Sequence, residues 1–263
     1  MKKYTLFHIP PLSFYSTSLY RDVAFNWKGI GFGYLFLLLA LCWLLLVINI
    51  DQHTGQFFDD EAPFVISQIP TITIENGQAS IEELQPYFIY DPETAEEMAV
   101  IDTTGNINSL EGINAPVLLT RTQLIFKKNE FETRSFELSE IGDYVLDQET
   151  LYHWSNFIKS YLSVIIYPFA LISSFIFRVI QVLIYAAIGM LFVLICKTQL
   201  EYSQLLRLSV VAVTPCIIIN TVLWLSSVNL PMSGLIYFML TMLYLFVGVK
   251  TVAAEMNTVE EFN

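Results

Sequence analysis

The chain has 263 residues, of which 54% are hydrophobic and 14% charged, and its mean hydropathy of +0.54 is too high for an ordinary soluble domain. The formal net charge of −12 sits in one interval: Asp51 to Tyr152 holds 20 acidic residues against four basic ones (Arg121, Lys127, Lys128 and Arg134), while the remainder has a small basic excess. Such an acidic surface repels nucleic acid and anionic headgroups, which argues against both as partners of that interval.

The first 28 residues carry Lys2, Lys3, Arg21 and Lys28 against Asp22 alone, so the positive-inside rule keeps this end in the cytoplasm. Within it Phe14, Leu19, Val23 and Trp27 fall near one helical face, which suits a short helix lying in the membrane interface or, equally, an irregular tail. Ile30 to Ile50 is an uncharged apolar run of 21 residues. It is long enough to span a bilayer and has no small-residue cleavage site after it, so it reads as a retained anchor.

The polar interval alternates strand-like runs with turn signals. PTITIENGQ contains Asn76-Gly77, a dipeptide suited to positive φ in a tight hairpin. PYFIYD, MAVIDTTGN, PVLLTRTQLIFKKN and ETRSFEL continue the pattern with Val, Ile, Thr, Phe and Tyr. A small β-rich domain over about residues 60–145 follows, with a core of modest size.

Trp154 to Lys197 is nearly all apolar. As one helix it would be roughly 60 Å long, twice the ~30 Å hydrocarbon thickness of a bilayer. A hairpin would place spans at about 157–175 and 179–196 with Arg178 at a cytoplasmic turn, giving five spans in all. A single span with a bend near Pro168 would give four. Charge counting favours four, because it gathers seven basic residues on the cytoplasmic side against five. Apolar length favours the hairpin, since it leaves no long hydrophobic stretch in water, and the expectation is five. The polar break KTQLEYSQLLR would then lie beside the acidic domain, within reach of Arg207. Two further spans follow, LSVVAVTPCIIINTVLWLSSV and LIYFMLTMLYLFVGV, and an acidic tail with Glu255, Glu260 and Glu261 is expected to be disordered.

The fold class is therefore an α-helical polytopic membrane protein with about five transmembrane helices and an inserted small β-rich extracytoplasmic domain. Its divisions are a cytoplasmic segment 1–28, a first span 29–50, the acidic domain 51–152, a bundle of about four helices 153–252, and the tail 253–263. Cys42, Cys196 and Cys216 all lie in apolar runs, so no disulfide framework or cysteine metal spacing is present.

Candidate chemistry is sparse. Asp102-Thr103-Thr104-Gly105 resembles half of an aspartic protease site, yet that chemistry needs two such loops, and a turn in which Asp102 or Thr103 bonds the backbone fits better. His53 with Asp51, Asp59, Asp60 and Glu61 lacks the spacing of a metal motif. No nucleophile motif, phosphate loop or cofactor signature occurs, so no catalytic, metal or cofactor residue is assigned. The candidate intramembrane polar positions are Arg178, Gln181, Asn220 and Thr221, since polar groups in spans are functional candidates by default. Tyr202 and Arg207 are candidate contacts in the polar loop.

FYSTSLYRDVAFNWKGIGFGYLFLL, IPTITIENGQ, VIDTTG and LEYSQLLRLSVVAVTP together make the chain resemble the bacterial membrane family catalogued as domain-of-unknown-function family 1189 over essentially its full length. Some members of that family are named as maltodextrin-utilisation proteins. The segment around Tyr202, Arg207, Ala212 and Pro215 is also distantly similar to the five-span Yip-type membrane family. Neither resemblance supplies a catalytic residue. Together with the composition they imply a multi-pass protein of the bacterial inner membrane, its N-terminus cytoplasmic and residues 51–152 outside, whose partners are the lipid bilayer and other membrane or envelope proteins. The expected role is a non-catalytic scaffold or accessory subunit, with a transport or lipid-handling component as the alternative.

Overall fold

The computed structural model describes residues 4–129 and 131–260; Lys2, Lys3 and the last three residues of the expected tail lie outside them. The chain divides into two units, one of Met1–Ile50 with Val164–Asn263 and one of Asp51–Ser163. Among the described residues four helices are long and apolar enough to cross a membrane, so the expected count of five is corrected.

In the first unit, a 3-10 turn and the short α1 (Ile9–Leu12) lead to α2 (Thr17–Asn26), which Ser16 caps by accepting a hydrogen bond from the Leu19 N–H at 3.3 Å. Leu19, Val23 and Trp27 are buried, while Phe14, expected on the same face, precedes α2 and is half-buried. The three buried residues face protein, because α2 packs on the later helices α6 (Tyr202–Leu225) and α7 (Ser233–Glu260). Gly248 in α7 makes room for that approach: a Cβ there would stand 2.8 Å from Tyr20 Cδ1. Gly29 and Gly31, both at positive φ, turn the chain into α3 (Phe32–Gln56).

The long apolar block is one helix, α5 (Gln148–Ile195), 48 residues and about 72 Å long, with Pro168 inside it. The expected hairpin and its fifth span do not form, and the bundle after residue 153 has three helices. The physical reason is local: Ile176-Phe177-Arg178 contains no Gly, Pro, Asn or Asp to turn on, and arginine is a good helix former. Lys197, at φ 50°, and the following residues make the real break, after which Glu201 and Gln204 form a capping box that starts α6. α6 is the most enclosed of the four long helices and α5 the least. α7 runs through Glu260, so the tail expected to be disordered is helical over its described part, with Val252 and Ala253 buried and Glu255 paired to Arg21 at 3.6 Å.

The second unit contains the predicted β-domain, extended to Ser163 by the polar start of α5. Lys159 Nζ bonds Asp59 Oδ1 and Ser163 Oγ bonds Asp51 Oδ1 there, each at 2.5 Å. After α3 come a π-helical turn (Phe57–Glu61) and α4 (Ala62–Gln68). One sheet has the order β2-β1-β8, from Ile72–Glu75 (β1), Gln78–Ser80 (β2) and Tyr144–Leu146 (β8). Asn76 (φ 49°) and Gly77 (φ 74°) form the β1–β2 turn as expected.

The other sheet has the order β3-β4-β5-β6-β7, over Tyr87–Tyr90, Glu97–Asp102, Val117–Thr120, Gln123–Asn129 and Glu132–Glu137. Its β4–β5 pair is parallel and the rest are antiparallel. A parallel pair needs a crossover, and the loop after Asp102 supplies it. Because side chains alternate along a strand, Ile101 and Leu119 join one core with Ile72, Ile74 and Leu138, while Val100 and Leu118 join another with Leu110 and Ala115 of the crossover.

Candidate functional site

Of the residues singled out in the sequence, Arg178 and Gln181 come together. They lie one turn apart on α5, and Arg178 Nη1 donates to Gln181 Oε1 at 2.5 Å. Guanidinium has no acceptor, so the amide oxygen must face it. Gln181 Nε2 is thereby turned toward Tyr185 and donates to its hydroxyl at 2.6 Å. The phenol oxygen is thus an acceptor in this chain, which leaves its own proton to be donated elsewhere.

Arg178, Gln181 and Tyr185 share the stripe of α5 that also carries the buried Leu171, Val182 and Gly189, so the three face the other helices. Cys42 of α3, Cys216 of α6 and Tyr237 of α7 stand within electrostatic range of the guanidinium. Cys216 Sγ lies 3.2 Å from Thr241 Oγ1. The surroundings are thiols, hydroxyls, an amide and the Phe177 ring, whose centroid is 6.0 Å from the guanidinium carbon, and among the described residues no carboxylate lies within salt-bridge distance of Arg178.

The remaining candidates are placed elsewhere. Thr221 is buried, donates to Ile217 O of its own helix at 2.9 Å and faces the Cys42 thiol. Asn220, its neighbour, is exposed. Tyr202 donates its hydroxyl to Leu183 O at 2.9 Å. Arg207 donates Nη1 to Trp27 O and Nε to Ser203 O, the latter at 3.1 Å, and so holds the end of α2. Both partners lie in the first unit, and the hairpin from which contact with the acidic domain was expected does not form.

Tyr185, Cys216, Tyr237 and Thr241 were not picked out from the sequence. Tyr185 was available as the position four after Gln181 and seven after Arg178, a stripe visible only if the block is one helix. The partners on α3, α6 and α7 have no such signal.

In the second unit Asp102 anchors the crossover loop. Its Oδ1 accepts from Thr104 N (2.9 Å) and Thr104 Oγ1 (2.5 Å), and its Oδ2 accepts from Ile107 N (2.6 Å). Arg121 Nε donates to Thr103 O at 3.0 Å. Asp102 has no exposed surface yet lies just beneath the domain's surface. Burial, the largest single influence, would raise its pKa, but the donated hydrogen bonds together outweigh it and hold the carboxyl below the usual carboxylate range. The loop is a structural turn, as the lone Asp-Thr-Thr-Gly suggests.

Among the described residues, this domain also has an edge strand paired on one side. β7 ends its sheet and is exposed along most of its length. Phe136 stacks on Phe126 of β6 with centroids 5.7 Å apart and remains 52% exposed, and Phe131 at the hairpin tip is 97% exposed. Lys128, Glu132 and Arg134 are ion-paired along the same strands at 2.8 and 3.0 Å.

No solved structure matches the chain. An uncharacterised protein of Rickettsia prowazekii (strain Madrid E) is 27% identical over 124 residues, a stretch that covers 43% of each chain. Residues 11–249 match the family described as "Protein of unknown function (DUF1189)". That match runs from α1 through both sheets and well into α7, and on it the chain belongs to this family.

Proposed function

We propose that the protein is a non-catalytic scaffold or accessory subunit of the bacterial inner membrane that binds other envelope proteins through its β-domain. The observation that carries this reading is the exposed β7 edge with its Phe126/Phe136 pair and the Phe131 tip. An open strand edge can accept an extended segment by backbone pairing, with flanking side chains selecting it. The ion-paired charges along β6 and β7 oppose indiscriminate edge-to-edge association, so the edge is suited to a chosen partner.

The four long helices act as spans, with the N-terminus cytoplasmic and the β-domain outside. Lipid bilayer covers the apolar faces of α5 and α7. Support for this orientation comes from α2, the start of α6 and the end of α7 lying together: Gln204 Nε2 donates to Ala24 O, Arg207 to Trp27 O, and Arg21 pairs with Glu255. An even number of spans puts these three segments on one side, where their basic residues satisfy the positive-inside rule.

Photo-crosslinking residues placed at Phe131 and Phe136 in the full-length protein in cells test the binding role. Discrete adducts with an envelope protein, lost on Ser135→Pro, are expected; adducts with lipid alone would sink the reading. On a cysteine-free background, Glu93→Cys should react with an impermeant maleimide added outside intact cells, and Gln199→Cys should not. Labelling at both positions would reverse the assigned topology.

A further inference from the structure

The interior of the helix bundle carries an inference independent of the β7 edge. We propose that Arg178, together with Gln181 and Tyr185, forms a binding site for an oxyanion, a phosphate or carboxylate group, inside the four-helix bundle.

The first support is depth. About 22 Å of helix separates Arg178 from Ser163 and about 26 Å separates it from Ile195. A ~30 Å hydrocarbon layer centred on this stretch has Arg178 near its middle. No arginine side chain reaches either headgroup layer from there, so snorkelling does not account for the residue. A cation at that depth is costly unless it is paired, and such residues mark ligand or ion sites.

The second support is chemistry. Guanidinium has five N–H donors, and among the described residues one is used, on the neutral Gln181. Tyr185, 5% exposed, accepts from Gln181 and has its O–H proton to give. The chain of bonds therefore presents donors and no charged acceptor, which is the complement of an oxyanion. The spans do not supply the counter-charge: no Asp or Glu occurs in 32–50, in 164–195, in α6, or in α7 before Glu255, which pairs with Arg21. A second copy is excluded as its source for the same reason.

Lipid headgroups and small soluble anions offer the same group, and the two sources are separable by experiment. Full-length protein in detergent is titrated with dioleoyl phosphatidylglycerol, with dioleoyl phosphatidylcholine, and separately with inorganic phosphate. Native mass spectrometry counts retained lipid, and a thermal-shift assay follows phosphate. Several-fold stronger retention of phosphatidylglycerol than of phosphatidylcholine supports a lipid-borne oxyanion. A rise in unfolding temperature with millimolar phosphate, without that preference, supports a free one. Either effect should vanish in Arg178→Gln and persist in Lys250→Gln. Neither effect in the wild type, or an effect unchanged in Arg178→Gln, overturns the proposal. Tyr185→Phe keeps the ring and removes only the O–H, so it should weaken binding several-fold. If Arg178→Gln does not fold, wild-type binding by Tyr185→Phe overturns the proposal in its place.

Discussion

Asp102 in the β-domain and Arg178 among the helices are both charges drawn in by the fold, and the two regions treat them in opposite ways. The carboxylate of Asp102 is met by donors from residues two and five positions later, all within one loop. The guanidinium of Arg178 meets an amide one turn on, and its wider surroundings come from three other helices without supplying a negative charge. A charge satisfied by its own loop can be explained as architecture. One left with neutral neighbours in an apolar environment calls for something outside the chain.

The largest expected effect tests the domain's side of this contrast. Asp102→Ala leaves two N–H groups and a hydroxyl without their acceptor and should destabilise the domain by about 2–4 kcal/mol. Urea unfolding of the full-length protein, followed by hydrogen exchange at residues 99–120, would register it; unchanged protection would mean the loop does not depend on the carboxylate. The depressed pKa of Asp102 makes its contribution pH-dependent with a definite sign. That stability is complete above the unfolded carboxylate value of ~3.9 and is lost as pH falls below it through the folded value. Asp102→Asn should therefore flatten the acid limb of the domain's stability profile.

A somewhat smaller effect is expected where the helices approach most closely. Gly248→Ala puts a Cβ 2.8 Å from Tyr20 Cδ1, and Tyr20 is held in place by donating to Ser13 O at 3.0 Å. Overpacking of this kind costs about 1–3 kcal/mol, read as a lower thermal midpoint in detergent and faster proteolysis within residues 4–27. The smallest effect sharpens the comparison most. Arg178→Met removes a charge that the chain does not neutralise, so ligand-free stability should be unchanged or slightly higher, and not lower. A loss as large as that of Asp102→Ala would make Arg178 a structural residue and erase the difference between the regions.

The β-domain was legible because its signals are local. Alternating strands separated by Asn76-Gly77 and other turn residues locate β1, β3, β4 and β7 within a few positions, the single run PVLLTRTQLIFKKN covers both β5 and β6, and the Asp-Thr-Thr-Gly turn has its bonding partners nearby. β2 and β8 were not named as strands because Gln78–Ser80 and Tyr144–Leu146 are each too short to alternate. The helical region was legible in hydrophobicity and misread in topology. Apolar length alone does not distinguish one helix from two, and Arg178 was taken as a turn marker although nothing around it can turn. That misreading also separated Arg178 from Tyr185, since a hairpin leaves them on different sides of a bend. Arg207 was noticed as polar, but its acceptor on Trp27 lies 180 positions away and no spacing announces it.

The packing of α2 on α6 and α7 has a consequence for the order in which the molecule can be completed. The apolar side of α2 emerges from the ribosome long before Gly248, which receives Tyr20. Closing that contact spans more than 200 residues of chain, so it is a late event of high contact order, reached after the β-domain has had time to form. Until then Leu19 and Val23 lack part of their cover, and a chain truncated before α7 would keep them uncovered. The α2 segment thus reports on whether α7 has arrived, which gives cellular quality control a feature by which to tell a chain that has made α7 from one that has not.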